Sequence, residues 1–399
     1  MAEHDTSHRD ALPAAPAYGR STVAEVFTSA AAALGLHTTS GPFNNALGLP
    51  AASRVCVVVV DGLGLTLLKK RGGHAPFLRK HLDSSRTIGS AFPSTTAASL
   101  GSLGTGLPPG QHGLVGYDVL DPDQDKVVNM LGGWDAGVDP LRWQPYPSVF
   151  EQAAGQVPVV SVSLPKFADS AMTRAALRGG SYVAAGTLQA RVRTAHEQLA
   201  ASERSLVYLY LNEMDKAGHR YGCGSAEWGN QLEDVDAAIK TLTARIPSDT
   251  LLLLTADHGM VDVDEAHRYD FSTEPALIDG VAHTAGEPRM LHLYFEPDLS
   301  VQSRERLARA WQAAHGQSAW IFTRNQAVSA GLFGQVDQRV LPRIGDLMVA
   351  AREPIALYDR RRTAASAMEV VGQHGSLTRA ERDVPLLTLN RPGGRATRG

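Results

Sequence analysis

RVCVVVVDG, Arg54 to Gly62, carries six consecutive apolar residues, Val55 to Val60, that run straight into Asp61 and Gly62. The run is dominated by β-branched side chains and too short for a helix, so it reads as a strand buried on both faces of a parallel sheet. Leu206 to Leu211 and Leu251 to Thr255 have the same character, and a further strand is expected at Val157 to Ser163 after a helix around Val149 to Ala154. Helical sequence alternates with these runs. The clearest case is Ser225 to Ile246, where Trp228, Leu232, Val235, Ile239 and Leu242 recur at spacings of 4, 3, 4 and 3 behind Ser225 as N-cap. The alternation predicts an α/β fold with a doubly wound, mostly parallel central sheet flanked by helices.

Working outward, about 262–373 reads as an insertion with strands at Leu291 to Phe295 and Asp346 to Ala351 and a helix at Arg304 to Ala314, either a cap or edge strands of the main sheet. The domain reading is one catalytic domain over 21–389 that contains this insertion, between disordered tails at 1–20 and 390–399. Hydrophobic residues at 43% and charged residues at 20% fit an ordinary globular enzyme, and 399 residues suffice for a sizeable core. A net charge of -3 offers no basic surface for a nucleic-acid backbone. No run approaches the roughly 18 apolar residues of a membrane span, and the first 20 residues lack a signal-peptide core, so a cytoplasmic protein without a membrane partner is expected. The only cysteines, Cys56 and Cys223, are read as free thiols.

Ligands of open α/β sheets bind beyond the carboxyl ends of the strands, and here those ends are rich in metal-ligand residue types. The first strand delivers Asp61-Gly62, the second Asn212-Glu213-Met214-Asp215 and then His219, the third Asp257-His258-Gly259. Asp215 and His219, four apart, share one face of a helical turn and can chelate one ion. Asp257 and His258 can converge in a bend at a strand end, with Gly259 easing the turn. Singly, Asp61 or Asp215 could be a helix cap; three clusters at three strand ends point to a metal centre. FPSTTAASLGSLGTG, Phe92 to Gly106, can begin a helix at about Thr96 with free N–H groups facing an anion. Thr96 could equally be a plain N-cap, because threonine becomes a nucleophile at neutral pH only when a metal lowers its hydroxyl pKa.

Asp61-Gly62, FPSTT with the later TG and the HG at His112, Asp215-x3-His219, ADHGM around Asp257 and His258, and the late His-Gly at His374 together resemble the type I phosphodiesterase/nucleotide pyrophosphatase family of the alkaline phosphatase superfamily. The resemblance extends from about Arg54 to His374. It implies an alkaline phosphatase-like fold and two divalent ions, zinc being the expected metal. Asp215, His219 and His374 would hold one ion, and Asp61, Asp257, His258 and the Thr96 oxygen the other. Three carboxylates against two dications leave a formal +1 for a threonine alkoxide and a substrate phosphate.

The implied reaction is hydrolysis of a small-molecule phosphodiester or nucleotide pyrophosphate through a phosphothreonine at Thr96. One departure stands at Ser99, where eukaryotic family members typically carry Asn as a phosphate donor; its shorter hydroxyl, or backbone N–H groups, would bind substrate. Phosphomonoesterase, phosphonoacetate-hydrolase-like and phosphomutase activities would use a similar core, and a non-catalytic metal- and phosphate-binding protein is the alternative outside enzymes. A sulfatase is disfavoured, because no Cys/Ser-x-Pro-x-Arg stands at the nucleophile region. The segment from Ser90 to Gln111 holds no Arg or Lys, which favours a monoanionic diester over a dianionic monoester. His112 reads as a loop-ordering residue and His283 as a surface or structural one. Lys166, Glu213 and Tyr117 lie near motif residues without an assigned role.

Overall fold

The three apolar runs become neighbours because each is buried at every position and can satisfy its backbone only inside a sheet. The computed structural model describes residues 11–135 and 137–393. The main sheet contains β1 (Arg54–Val60), β2 (Arg86–Gly89), β3 (Val159–Ser163), β4 (Ser181–Ala184), β5 (Ser205–Leu211) and β6 (Thr250–Thr255). The insertion contributes β7 (Val281–Glu287), β8 (Met290–Phe295), β9 (Ala319–Thr323) and β10 (Leu347–Ala351), and the chain returns to the main sheet with β11 (Asp383–Asn390).

The order across the main sheet is β2-β11-β6-β1-β5-β3-β4. The pairs β6–β1, β1–β5, β5–β3 and β3–β4 are parallel, whereas β11 runs antiparallel to both of its neighbours. Register aligns the strand ends, with Val60 opposite Leu211 and Thr255 opposite Val59. Asp61, Asn212 and Asp257 therefore emerge along one rim.

Helices flank this sheet. On one side lie α1 (Ala24–Ala33) and α2 (Thr96–Thr105), which pack on each other; α3 (Leu188–Ala200), α4 (Glu213–Tyr221) and α5 (Ala226–Arg245) form a second packed group. The apolar stripe read from Trp228 to Leu242 is buried along α5, and the Ser225 hydroxyl accepts from the Trp228 N–H at 3.1 Å. No helix among the described residues is long and apolar enough to cross a membrane.

Strands of the insertion pair with one another in the order β7-β8-β10-β9, all antiparallel, and none joins the main sheet. Leu307 and Trp311 of α6 (Val301–His315) bury themselves against Leu293 and Val349 of that second sheet in a separate small core. Arg289 at the β7–β8 turn ties this sheet to the segment before β11 through a fully buried bidentate pair with Glu381, both bonds 2.8 Å.

The expected disorder does not extend over the described part of the tails. Phe92 donates its N–H to the Tyr18 hydroxyl, which donates in turn to the Leu332 carbonyl, and Asn390 is the last residue of β11. The rest of those expected tails, 1–10 and 394–399, lies outside the described residues.

Candidate metal centre

Each strand end is shaped by its sequence to deliver one carboxylate. Asp61 follows β1 directly, its N–H bonded to the Leu211 carbonyl at 2.8 Å. Gly62 then takes φ +75°, and a Cβ there would lie 3.1 Å from the Asp215 Cα, so only glycine lets α4 start this close. Asp215 and His219 occupy consecutive turns of α4, with His219 Nε2 at 3.1 Å from Asp215 Oδ1. Asp257 and His258 do converge in a bend after β6. Gly259 serves close approach rather than turn geometry, because a Cβ would meet the Ala380 carbonyl oxygen at 2.0 Å.

His374 is remote in sequence and is delivered by a backbone clasp. Ser94 bonds the next loop twice, its N–H to the Gly375 carbonyl at 3.0 Å and its hydroxyl to the Ser376 carbonyl at 2.7 Å, while His374 Nδ1 donates to the Ser94 carbonyl at 3.1 Å. The same two residues on, Thr96 opens α2. Thr95 caps it by accepting from the Ala98 N–H, and the first-turn N–H groups of Thr96 and Ala97 have no intrahelical carbonyl to pair with. Thr96 Oγ1 lies 3.1 Å from His258 Nε2.

The hydrogen bonds leave one set of atoms free, and they face one another. His219 Nδ1 donates to the Gly372 carbonyl at 2.7 Å and His258 Nδ1 to that of Gly259 at 3.1 Å, as His374 does to Ser94. In the neutral form of each ring this turns the Nε2 lone pair inward, the tautomer a metal requires. Asp257 Oδ1 accepts the N–H groups of Gly62 and His258, and Asp61 Oδ2 accepts the Tyr210 hydroxyl. Asp61 Oδ1, Asp257 Oδ2 and Asp215 Oδ1 are buried without a hydrogen-bond partner among the described residues. Ligand atoms of Asp61, Asp257 and His258 fall within 4.8 Å of one another, as do those of Asp215, His258 and His374. Lone pairs facing lone pairs in a buried site are reconciled by cations, so these residues fit divalent metal.

Electrostatics say the same. Burial, reinforced by Asp257 and Asp215, pushes the Asp61 carboxyl well above the usual carboxylate range. Burial also acts to raise Asp215, but His219, by its charge and its hydrogen bond, outweighs it and holds that carboxyl low. Burial, with His258 and His219 beside it, drives His374 well below the ordinary imidazole value and keeps it neutral. No Lys or Arg among the described residues pairs with any of the three carboxylates, whose ion-pair neighbours are histidines.

The ligand set implied by resemblance therefore gathers at one place, with a difference in detail. His258 Nε2 is 3.3 Å from Asp61 Oδ1 and 3.5 Å from Asp257 Oδ2, yet its ring also stacks on His374 with centroids 3.7 Å apart, so it adjoins both groups. His219 also reaches Asp215, its ring centroid 5.3 Å from that of His374.

Ser99 does not join them. It is fully buried one turn into α2, where its hydroxyl meets the Ser90 hydroxyl at 2.9 Å and accepts from the Ala91 N–H at 3.4 Å. Its depth in the helix, which spacing alone could not reveal, leaves it off the wall of the cavity that Thr96 borders. Glu213 also turns away, onto the buried Arg191. His112 Nδ1 accepts from the Leu114 N–H at 3.1 Å and orders its loop, and His283 pairs with the exposed Asp125.

Two cavities open onto the centre. One of about 310 Å³ is bordered by Thr96, Asn212, Tyr210 and Phe167, with Lys166 and Lys216 at its edge. Another of about 380 Å³ lies toward the insertion, and the two share Tyr117, His219 and His374. Tyr210 escaped the sequence reading. Its signal was a phenol near the end of a buried strand, next but one to Tyr208, a group that needs a buried partner.

A family model described as type I phosphodiesterase / nucleotide pyrophosphatase matches residues 55–377. Among curated proteins, the human ectonucleotide pyrophosphatase/phosphodiesterase family member 7 is 34% identical over 82 residues, covering 19% of this chain and 18% of that protein. The alkaline phosphatase PhoK of a Sphingomonas species is 22% identical over 222 residues, 47% of this chain and 39% of that protein. The chain thus spans well under half the length of these relatives. Two solved structures share the fold. Murine ectonucleotide pyrophosphatase/phosphodiesterase 5 superimposes with a TM-score of 0.66 at 18% identity, over 84% of this chain and 87% of that one. The Sinorhizobium meliloti phosphonoacetate hydrolase, bound to phosphonoformate, gives 0.65 at 19% identity over 88% and 93%.

Proposed function

Because the chain belongs to the type I phosphodiesterase/nucleotide pyrophosphatase family, we propose that it hydrolyses phosphodiester or pyrophosphate bonds of small nucleotide-type substrates with Thr96 as the nucleophile. The observation that carries this reading is the position of Thr96: its hydroxyl stands at the first position of α2, 3.1 Å from His258 Nε2, beside the unpartnered oxygens of Asp61 and Asp257. Support also comes from the murine phosphodiesterase 5, whose threonine-to-alanine variant is inactive and was solved with AMP.

We assign Asp61, Asp257, His258 and the Thr96 oxygen to one divalent ion and Asp215, His219 and His374 to the other, zinc suiting the mixed nitrogen and oxygen donors. When bound, such ions lower the pKa of a hydroxyl and of water and neutralise charge on phosphoryl oxygens. The chain's own groups do the positioning. Thr96 Oγ1 attacks phosphorus in line and expels the first alcohol or phosphate; water then attacks the phosphorus of the resulting phosphothreonine, breaking its bond to Oγ1, releasing the phosphate product and returning the Thr96 hydroxyl. The N–H groups of Thr96 and Ala97 face the equatorial oxygens, a role left open by the burial of Ser99. Tyr210 holds Asp61 in orientation through its hydroxyl.

One observation favours a second reading, a phosphonate or monoester hydrolase on the same centre. Lys166 and Lys216 border the main cavity from other strand ends, supplying cationic groups that the segment around Thr96 lacks. Comparison of kcat/KM for a nitrophenyl nucleotide diester, nitrophenyl phosphate and phosphonoacetate decides between them. A preference for the diester is expected, and a clear preference for either of the others would remove the diesterase reading.

A further inference from the structure

The second cavity holds an unexplained carboxyl. Glu287 ends β7 beside the metal centre, so close that a Cβ on Gly375, next to His374, would lie 2.5 Å from its Cδ. Its residue is only 6% exposed, it lines the cavity, and neither Oε1 nor Oε2 has a hydrogen-bond partner among the described residues. A buried carboxyl without partners is costly, and structures rarely leave both oxygens unmet.

Neighbouring cations are already engaged. Arg289, two residues on, gives its guanidinium to Glu381 and to the carbonyls of Glu353 and Ile355. Arg362 pairs with Asp118, and Arg361 with Asp359, which also accepts the Thr284 hydroxyl. Within this cavity Glu287 is therefore the carboxyl that a ligand can complete. The remaining wall is largely apolar and aromatic, including Leu291, Leu357 and Tyr358. Burial, with Glu381 and Asp118 nearby, pushes the Glu287 carboxyl well above the usual range, so the site gains most from a partner that brings positive charge and N–H donors together.

We propose that this cavity is a subsite for a protonated amine on one arm of the substrate, with Glu287 as its counter-ion, so that one of the two groups esterified to phosphorus is an amino alcohol. The inference rests on the diesterase reading above. Because the cavity shares Tyr117, His219 and His374 with the main one, a substrate with phosphorus at the metal centre can send an arm into each. Glu287 is a specificity residue here and takes no part in bond cleavage.

The test uses the metal-loaded full chain and two matched diesters, 2-aminoethyl and propyl nitrophenyl phosphate, which differ in charge but little in size. The native protein should favour the aminoethyl diester by about tenfold or more in kcat/KM. Glu287→Gln, isosteric and neutral, should bring that ratio close to one while changing turnover of the propyl diester less than about threefold, and Glu287→Asp should keep part of the preference. Equal rates with the two diesters in the native protein, a measurement independent of any variant's folding, would overturn the subsite, as would a preference that survives in Glu287→Gln. If the native protein cleaved neither diester but did cleave nitrophenyl phosphate, the diesterase reading would fall first and take the subsite with it.

Discussion

At the residue scale, the proposed function turns on Thr96 and on the groups that orient its surroundings. Thr96→Ala removes the proposed attacking oxygen but leaves every carboxylate and imidazole in place. Its kcat should fall by roughly 10³-fold or more with metal content retained. Thr95→Ala loses only a cap, about 1 kcal/mol of stability, and should keep activity within about tenfold. Steady-state kinetics and metal analysis of both variants check the register; near-native turnover in Thr96→Ala would put the nucleophile elsewhere. Tyr210→Phe deletes the hydroxyl on Asp61 while keeping the ring, and should weaken metal affinity or activity by about 10- to 100-fold, read by metal titration. The proposed ligands could be picked out in the sequence because metal chemistry restricts residue types and strand ends restrict their places. Tyr210 and Ser99 were not legible, since whether a hydroxyl meets Asp61 or hides behind Ser90 depends on packing between distant segments.

At the scale of elements, the centre depends on how tightly strand ends and loops approach. Gly259→Ala would place a Cβ 2.0 Å from the Ala380 carbonyl oxygen, forcing backbone apart under two ligands, Asp257 and His258. A loss of about 3 kcal/mol, as for overpacking, is expected with reduced metal occupancy, measured by denaturant unfolding and metal analysis. A native Tm in Gly259→Ala would show that the loop can yield. His112 offers a pH-linked test away from the metals. Burial, with Arg339 nearby, pushes its imidazole from 6.5 down to about 3, and it is 0% exposed. The unfolded chain takes up this proton first as pH falls, so His112's contribution is full above about pH 6.5 and declines toward pH 3. Unfolding curves at pH 7.5 and 5 should show less acid sensitivity for His112→Gln than for the native chain; equal slopes would mean that His112 titrates normally. The parallel strands and α5 were readable because burial on both faces, or on one helical stripe, writes a period into the sequence. Neither the antiparallel return of β11 nor the half-exposed β4 writes one, so the edges of the sheet stayed out of reach.

For the whole molecule, the rim of the main sheet gathers buried carboxylate oxygens that have no hydrogen-bond partner among the described residues. The insertion forms its own sheet and is fastened near His374 by Arg289 and Glu381, an arrangement that sequence left open because strands at Leu291 and Asp346 could have paired either way. Metal analysis should find close to two divalent ions per chain, and chelation should abolish activity and lower Tm, since it returns three uncompensated carboxylates to a buried site. His374→Ala should deplete one ion selectively; unchanged metal content would remove His374 from the ligand set. The central claim, a threonine that attacks phosphorus and is then displaced by water, is tested most directly by the stereochemical course at phosphorus. A chiral thiophosphate diester hydrolysed in isotopically labelled water should show retention of configuration, the outcome of two in-line displacements, whereas inversion would mean that water attacks directly and that Thr96 is not the nucleophile.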